Sequence, residues 1–392
     1  MKNFTYYTPT KVVFGKDTEA QTGKLIREFG GTKVLLHYGG GSAERSGLLG
    51  RIRASLEEEG LAYVELGGVK PNPRLSKVHE GLELCRKEGV DFILAVGGGS
   101  TIDSAKAIGY GLANGGDPWD FHMGRRQAQG CTPIGAVLTI AAAGSEMSNS
   151  CVITNEEGWI KRGYSSNYSR CRFAVMNPEL TYTLPKYQTA CGCVDIMMHI
   201  MERYFTPDPD TMLTDGMAES ILRTVMHNAR ILMKDPENYN ARAQVMWAGS
   251  LAHNGVLSCG VQEDWASHQL EHELSGMFDV AHGAGLAAVW GSVCRYMLDC
   301  KPERYAQFAV NVMGINMNCS DPKETALAGI EAMERFFKEL DMPIRIHELG
   351  VEPTEEQILE MAGKCSRGRS RKVGGIRPLD EEDMAAVYRM AL

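Results

Sequence analysis

No stretch of the 392 residues approaches the ~20 uninterrupted apolar positions of a membrane-spanning helix. The opening MKNFTYYTPTKVVFG also lacks the apolar run of a signal peptide. The expectation is a soluble cytoplasmic protein. Basic blocks are missing too: 41 Lys and Arg stand against 49 Asp and Glu, a net charge of -8. That balance offers no footprint for a nucleic-acid backbone or an anionic membrane surface. Disulfide staples are not expected, because eleven scattered cysteines are an odd number in a chain too long to need them. Cys191-Gly-Cys193 has no second close pair to complete a zinc site, so these too read as reduced thiols. The length of 392 residues is enough for two or three domains, and the absence of low-complexity runs and of a flexible linker predicts that the two halves share a packed cleft.

What is present changes character along the chain. Before residue 183, short apolar runs alternate with helical patterns, the signature of a parallel sheet with crossover helices. KVLLHY (33–38), AYVEL (62–66), FILAV (92–96) and IGAVLTI (134–140) read as strands. Helices are expected over about 43–59, over LSKVHEGLELCRKEG and over STIDSAKAIGYGLA. After Thr183-Leu184-Pro185 the β signal fades, and amphipathic patterns such as 214–233 and 326–342 take over. The predicted division is an α/β domain over 1–183 and an all-helical domain over 184–392. The basic, Gly-rich segment SRGRSRKVGGIR (366–377) reads as a solvated loop.

Two strand ends carry one tetrapeptide, Gly39-Gly40-Gly41-Ser42 after KVLLHY and Gly97-Gly98-Gly99-Ser100 at the end of FILAV. Glycines let a phosphate approach the backbone closely. Glu44 and Ile102 occupy the last glycine positions of G-x-G-x-x-G, which excludes that fingerprint. One copy alone could be a plain strand-to-helix turn. Two copies on neighbouring strands would converge on the crevice where open α/β sheets bind a dinucleotide. No acid immediately follows KVLLHY to accept from a ribose 2′-hydroxyl, while Ser42 could donate to a 2′-phosphate, so NADP is favoured over NAD.

The second half offers metal ligands. Asp195 and His199, four apart, share a helix face with Glu202 one turn on. A metal or a simple Asp–His hydrogen bond would each explain that pair. DWASHQLEHELSGMFDVAHG (264–283) supplies His268, His272 and His282, on a helix expected to end at Gly276 and a loop presenting His282. HQLEH matches the H-x-x-E-H of a metalloprotease, with Glu271 as base. That reading leaves the two GGGS turns without a purpose.

In order, the segments PTKVVFG, YGGGS, GVKPNPR, AVGGGSTIDSAKAI, DPWDF, LTIAAAGSEMS, NPELTYTLP, VDIMMHIMERYF, DWASHQLEHELS and VAHGAGLA resemble the iron-containing (group III) alcohol dehydrogenase family. The branch they resemble is that of the NADP(H)-dependent butanol dehydrogenases and broad-range aldehyde reductases. The resemblance implies a dehydroquinate synthase-like fold, a dinucleotide-binding α/β domain followed by an all-α metal-binding domain. It implies hydride transfer between NADP(H) and a small aldehyde or primary alcohol. A divalent metal, Fe2+ with Zn2+ or Ni2+ as alternatives, would lie on Asp195, His199, His268 and His282. His272 becomes a proton relay rather than a ligand. Cofactor contacts would fall on Gly39, Gly40, Ser42, Asn72, Gly98, Gly99, Ser100, Asp103, Thr139, Ser145, Lys161 and Leu180. NAD-preferring relatives carry an acid where this chain has Gly39. The family's A-T-G-S-E is Ala142-Ala143-Gly144-Ser145-Glu146 here, which removes one hydroxyl, and Ser148 stands where close relatives often have Asn. FTYYTPTKVVFG would pair with the same segment of a second subunit, giving a homodimer. The alternatives left open are an NAD-preferring polyol or diol dehydrogenase and a dehydroquinate synthase-like, metal-dependent lyase.

Overall fold

KVLLHY and FILAV become inner strands of a parallel sheet because their side chains are apolar in both directions. Val34, Leu35, Leu36, Ile93, Leu94 and Ala95 are wholly buried, the pattern of strands covered on both faces. The computed structural model describes residues 1–392 and divides them into two units, Tyr7–Leu184 and Pro185–Leu392, with Met1–Tyr6 belonging to the second.

The first unit holds strands β1 (Lys11–Phe14), β2 (Lys33–Tyr38), β3 (Ala62–Leu66), β4 (Phe92–Gly97), β5 (Ile134–Leu138), β6 (Ser150–Asn155), β7 (Ile160–Ser165) and β8 (Phe173–Met176). Its helices are α1 (Thr22–Glu28), α2 (Ser42–Arg45), α3 (Leu48–Glu58), α4 (Leu75–Glu88), α5 (Gly99–Asn114) and α6 (Trp119–His122). The six-stranded sheet runs β1-β8-β5-β4-β2-β3, every pair parallel. From β2 the chain moves outward to β3 and returns to β4 on the other side. The switch point therefore lies between β2 and β4, where both GGGS turns emerge.

Three expectations need correction, and one element is additional. The helix expected over 43–59 is two, because Gly47 takes a left-handed conformation (φ 73°) and breaks it between α2 and α3. The strand in IGAVLTI stops at Leu138. Residues 150–165 form an antiparallel hairpin, β6–β7, that the sequence pattern did not announce. Residues 3–10 of FTYYTPTKVVFG are not strand; only Lys11–Phe14 is, and it pairs within the chain with β8.

The second unit contains α7 (Lys186–Tyr204), α8 (Met212–Lys234), α9 (Tyr239–His253), α10 (Ala266–Phe278), α11 (His282–Met297), α12 (Pro302–Asn311), α13 (Pro322–Glu339), α14 (Glu355–Cys365) and α15 (Glu381–Ala391). Helical spacing of apolar residues accounts for these elements. On α13, for example, Ala326, Ile330, Met333 and Phe337 form one buried stripe. Helices α10, α11, α14 and α15 close a core around Leu270, Leu274, Val289, Met361 and Tyr388. Segment 366–377 is only half solvated: Arg367 to Ser370 are exposed, whereas Asp264 Oδ2 accepts from the backbone N–H of Gly375 (2.8 Å) and Ile376 (3.1 Å). No helix is long and apolar enough to cross a membrane.

Two imidazoles buried in the α/β unit predict acid lability. His37 is held between Leu66 O and Ser104 Oγ, both at 2.9 Å, and His122 Nδ1 meets Arg162 O at 2.9 Å. Burial lowers both from 6.5 to about 4. As pH falls through 6.5 the unfolded chain takes up both protons while the folded chain does not. The stability is whole above 6.5 and declines by up to about 3 kcal/mol per histidine by pH 4. The urea midpoint should fall steadily from pH 7 to pH 5; a flat midpoint would mean that neither imidazole is buried in its neutral form.

Candidate metal centre and cofactor surface

The buried face of α7 carries Asp195, His199 and Glu202, all shielded from solvent. Around Asp195 Oδ1 three imidazole nitrogens converge: His199 Nε2 at 3.3 Å, His268 Nε2 at 3.7 Å and His282 Nε2 at 3.7 Å. Helices α7, α10 and α11 thus each contribute to one point. Asp195 Oδ1 and His268 Nε2 are buried and make no hydrogen bond. Orphaned polar atoms of that kind are costly unless something satisfies them. A cation between them would do so, and three imidazoles with one carboxylate suit Fe(II), Zn or Ni.

Each outer imidazole is aimed by a carboxylate. Glu202 Oε1 accepts from the backbone N–H of His268 at 2.9 Å and faces its Nδ1 at 3.0 Å, leaving Nε2 bare toward Asp195. Glu271, fully buried, pairs with His282 Nδ1 in the same way. Such partners fix the tautomer and raise the basicity of a metal-binding histidine. Burial, reinforced by the neighbouring imidazoles, pushes His199 well below its ordinary pKa. For His268 desolvation acts in the same direction, but Asp195 and Glu202 outweigh it and raise the imidazole to about 9.

Close helix packing makes this geometry possible. A Cβ on Gly283 would lie 2.1 Å from Cys191 O, so α11 can start against α7 only with glycine there. A Cβ on Gly285 would lie 2.9 Å from Glu271 Oε1. Contrary to expectation, α10 does not end at Gly276. It continues to Phe278, because Asp279 supplies the left-handed cap (φ 53°), and His282 is the first residue of α11 rather than part of a loop. His272 sits beside the quartet, its ring 5.7 Å from that of His282 and 6.4 Å from that of His268. Glu271 cannot serve as a protease base while its carboxylate is turned onto His282. Cys191 and Cys193 stay outside the cluster, and burial drives their thiols up to about 11 and about 12.

Of the expected cofactor residues in the α/β unit, Gly39, Gly98 and Thr139 directly follow β2, β4 and β5, whereas Asp103 lies on α5, Lys161 on β7 and Leu180 in the turn after β8. Gly39 and Gly40 follow β2, and Gly39 O accepts from Gly68 N at 2.8 Å. Ser42 opens α2 and Gly98 caps α5, with Gly99 and Ser100 in its first turn. Thr139 N donates to Gly97 O at 3.0 Å, tying β5 to β4. Asn72, in a left-handed conformation, accepts from Lys161 Nζ at 3.0 Å, so two residues 89 positions apart form one buried pair. Ser145 Oγ donates to Asp103 Oδ1 at 2.5 Å, and Val152 N donates to Oδ2 at 2.9 Å. Desolvation raises the Asp103 pKa, with Lys106 as the largest opposing influence. Leu180 packs on the sheet's hydrophobic core.

Lys106 was not singled out by sequence reasoning, although a lysine within the apolar SAKAI run was a signal. Fully buried, its Nζ donates to Ser145 O (2.7 Å), Ser148 O (3.0 Å) and Ser150 O (2.8 Å). Ser148 serves through its side chain as well, its Oγ accepting from Lys106 Nζ at 3.3 Å and from Ser150 N at 3.3 Å. Lys106→Met should leave these carbonyls and Asp103 unbalanced and cost about 3 kcal/mol or more. Calorimetry tests this: unfolding at a lower temperature is expected, and an unchanged unfolding temperature would refute it.

Comparison with known proteins gives this geometry its context. The family model for iron-containing alcohol dehydrogenase matches residues 9–178, and that for the C-terminal region of the Fe-containing alcohol dehydrogenase family matches 189–392. The chain is 41% identical over its full length to all of a probable NADH-dependent butanol dehydrogenase 2 of Bacillus subtilis. It is 36% identical to the NADPH-dependent aldehyde reductase YqhD of Escherichia coli, over 95% of this chain and 97% of that one. The crystal structure of NADH-dependent butanol dehydrogenase A from Thermotoga maritima superposes with a TM-score of 0.96 at 38% identity, covering 100% of this chain and 99% of that one. The chain belongs to the iron-containing alcohol dehydrogenase family. It is a metal-dependent alcohol/aldehyde oxidoreductase working with a nicotinamide cofactor.

Proposed function

We propose that the protein interconverts small aldehydes and primary alcohols with NADP(H), using a divalent metal held by Asp195, His199, His268 and His282. The observation that carries the metal assignment is the convergence of three imidazole Nε2 atoms on the unbonded Asp195 Oδ1. The metal would supply Lewis acidity to the carbonyl oxygen, and the reduced nicotinamide would supply the hydride. Glu202 and Glu271 keep His268 and His282 in the tautomer that presents Nε2 inward. His272, outside that ligand set, would pass a proton through its imidazole. Gly39, Gly40, Ser42, Asn72, Gly98, Gly99, Ser100, Asp103, Thr139, Ser145, Lys161 and Leu180 would bind and orient the cofactor.

NADP(H) is favoured by the absence of an acid at Gly39, where the space would admit one: a Cβ there meets only Val69 O at 3.6 Å and Thr101 Oγ1 at 3.7 Å. NADH is the second reading, favoured by the named preference of the Bacillus and Thermotoga relatives. A panel of short aldehydes, run with NADPH and NADH on protein chelated and reloaded with Fe, Zn or Ni, decides both points. Oxidation of NADPH by butanal is expected, with loss on chelation. Turnover indifferent to chelation would sink the metal assignment, and faster turnover with NADH would sink the coenzyme assignment.

A cytoplasmic homodimer completes the proposal. The sheet edge at β1 is open, and Phe4, Tyr6, Tyr7 and Phe14 expose large apolar surfaces along the same segment. Light scattering should give twice the chain mass, and a monomer at micromolar concentration would refute it.

A further inference from the structure

We infer that Arg45 is the residue that recognises the 2′-phosphate of NADPH, an inference resting on the NADP(H) reading above. The end of β2 offers a bare surface, Gly39-Gly40-Gly41-Ser42, of which Gly40, Gly41 and Ser42 are exposed. The Arg45 guanidinium folds back over this surface: a Cβ on Gly41 would lie 2.6 Å from its Nη1. The space beside the Gly41 backbone is therefore filled by a cation contributed from one turn further on.

The nearby acids leave that cation available. Glu44 is engaged by Arg53 Nη1 (3.0 Å) and Nη2 (2.8 Å). Glu65 is engaged by the same guanidinium through Nε (2.8 Å) and Nη2 (3.0 Å), and by the hydroxyl of Tyr38 (3.1 Å). One arginine thus gathers both carboxylates, while Arg45 makes no ion pair. Arginine presents a planar fork matched to phosphate oxygens, and the neighbouring Ser42 hydroxyl adds a donor. NADH, with a hydroxyl in place of the 2′-phosphate, gives that fork nothing to neutralise. Arg45 therefore acts on coenzyme choice and leaves the reacting centre alone. Lys70, exposed on the adjoining loop, is the competing cation.

The test compares kcat/KM for NADPH and NADH, and inhibition by 2′,5′-ADP against 5′-AMP, in the wild type, Arg45→Gln, Arg45→Lys and Lys70→Gln. Arg45→Gln should lower kcat/KM for NADPH about tenfold through KM, weaken 2′,5′-ADP in parallel, and leave NADH and 5′-AMP unchanged. Arg45→Lys should recover part of the loss. If the wild type prefers NADPH but Arg45→Gln keeps that preference, or Lys70→Gln removes it instead, the assignment to Arg45 is wrong while the coenzyme reading survives. A wild type that prefers NADH and binds 2′,5′-ADP no better than 5′-AMP overturns the coenzyme reading itself.

Discussion

His268→Ala is expected to yield protein that holds little metal and does not turn over, whereas His272→Ala should keep its metal and lose turnover. The two lie one turn apart on α10 and differ in what they face. His268 Nε2 looks onto Asp195 with no hydrogen bond of its own. His272 groups with Glu271 and His282, outside the set that contains Asp195. Removing a proton carrier typically costs a factor of about 10² to 10⁴ in rate with the remaining machinery in place. Glu202→Gln gives an intermediate case, because loss of an orienting carboxylate should weaken metal binding by about 10- to 100-fold. Metal content by mass spectrometry after dialysis, with kcat on the same samples, separates the three. Stoichiometric metal in His268→Ala would end the ligand assignment, and metal loss in His272→Ala would end the division of labour.

Gly283→Ala, a single methyl group, should be nearly as damaging. The added carbon would stand 2.1 Å from Cys191 O, 2.7 Å from Cys191 C and 2.8 Å from Cys191 Cα, backbone atoms with no rotamer to yield. Overpacking of this kind costs about 1–3 kcal/mol. Here the only relief is for the start of α11 to withdraw from α7, which carries His282 away from Asp195. A displacement of about 1 Å is enough to lose about 100-fold in rate. The expected result is a lower unfolding temperature together with lost metal and activity. Gly50→Ala, on the exposed face of α3 with nothing within 4 Å, is the control and should be neutral or slightly stabilising by up to about 1 kcal/mol. A Gly283→Ala protein with normal metal affinity would show that the helices tolerate separation.

The sequence pattern foretold the parts of this architecture set by period. The four-residue spacing of Asp195 and His199 forces them onto one face of α7, and Glu202 follows on the same face. The buried strands KVLLHY and FILAV were legible because both of their faces are apolar. Other features were hidden because they depend on tertiary contacts. Glu271 read as a catalytic base from the HQLEH spacing alone, and only the approach of α11 shows it turned onto His282. Gly276 read as a stop, yet it is buried within α10 and the left-handed residue is Asp279. The β6–β7 hairpin was masked because its polar strands, SCVITN and IKRGYS, lack the apolar runs that marked the others. Lys106 was hidden because the three carbonyls that hold it come from residues 145–150, far along the chain.

The attachment of Met1–Tyr6 to the helical unit bears on how the protein can be dissected. Lys2 N donates to Gly260 O at 3.0 Å, Lys2 Nζ reaches Gln262 and Asp208, and Met1 lies over Gly260, whose left-handed φ of 77° favours glycine. The α/β unit is therefore threaded as an excursion between two pieces of the helical one. A cut after Leu184 would strip the metal-binding half of its strap. Circular permutation, joining residue 392 to residue 1 and reopening the chain near residue 184, is the route to studying that half as a continuous, self-contained fragment.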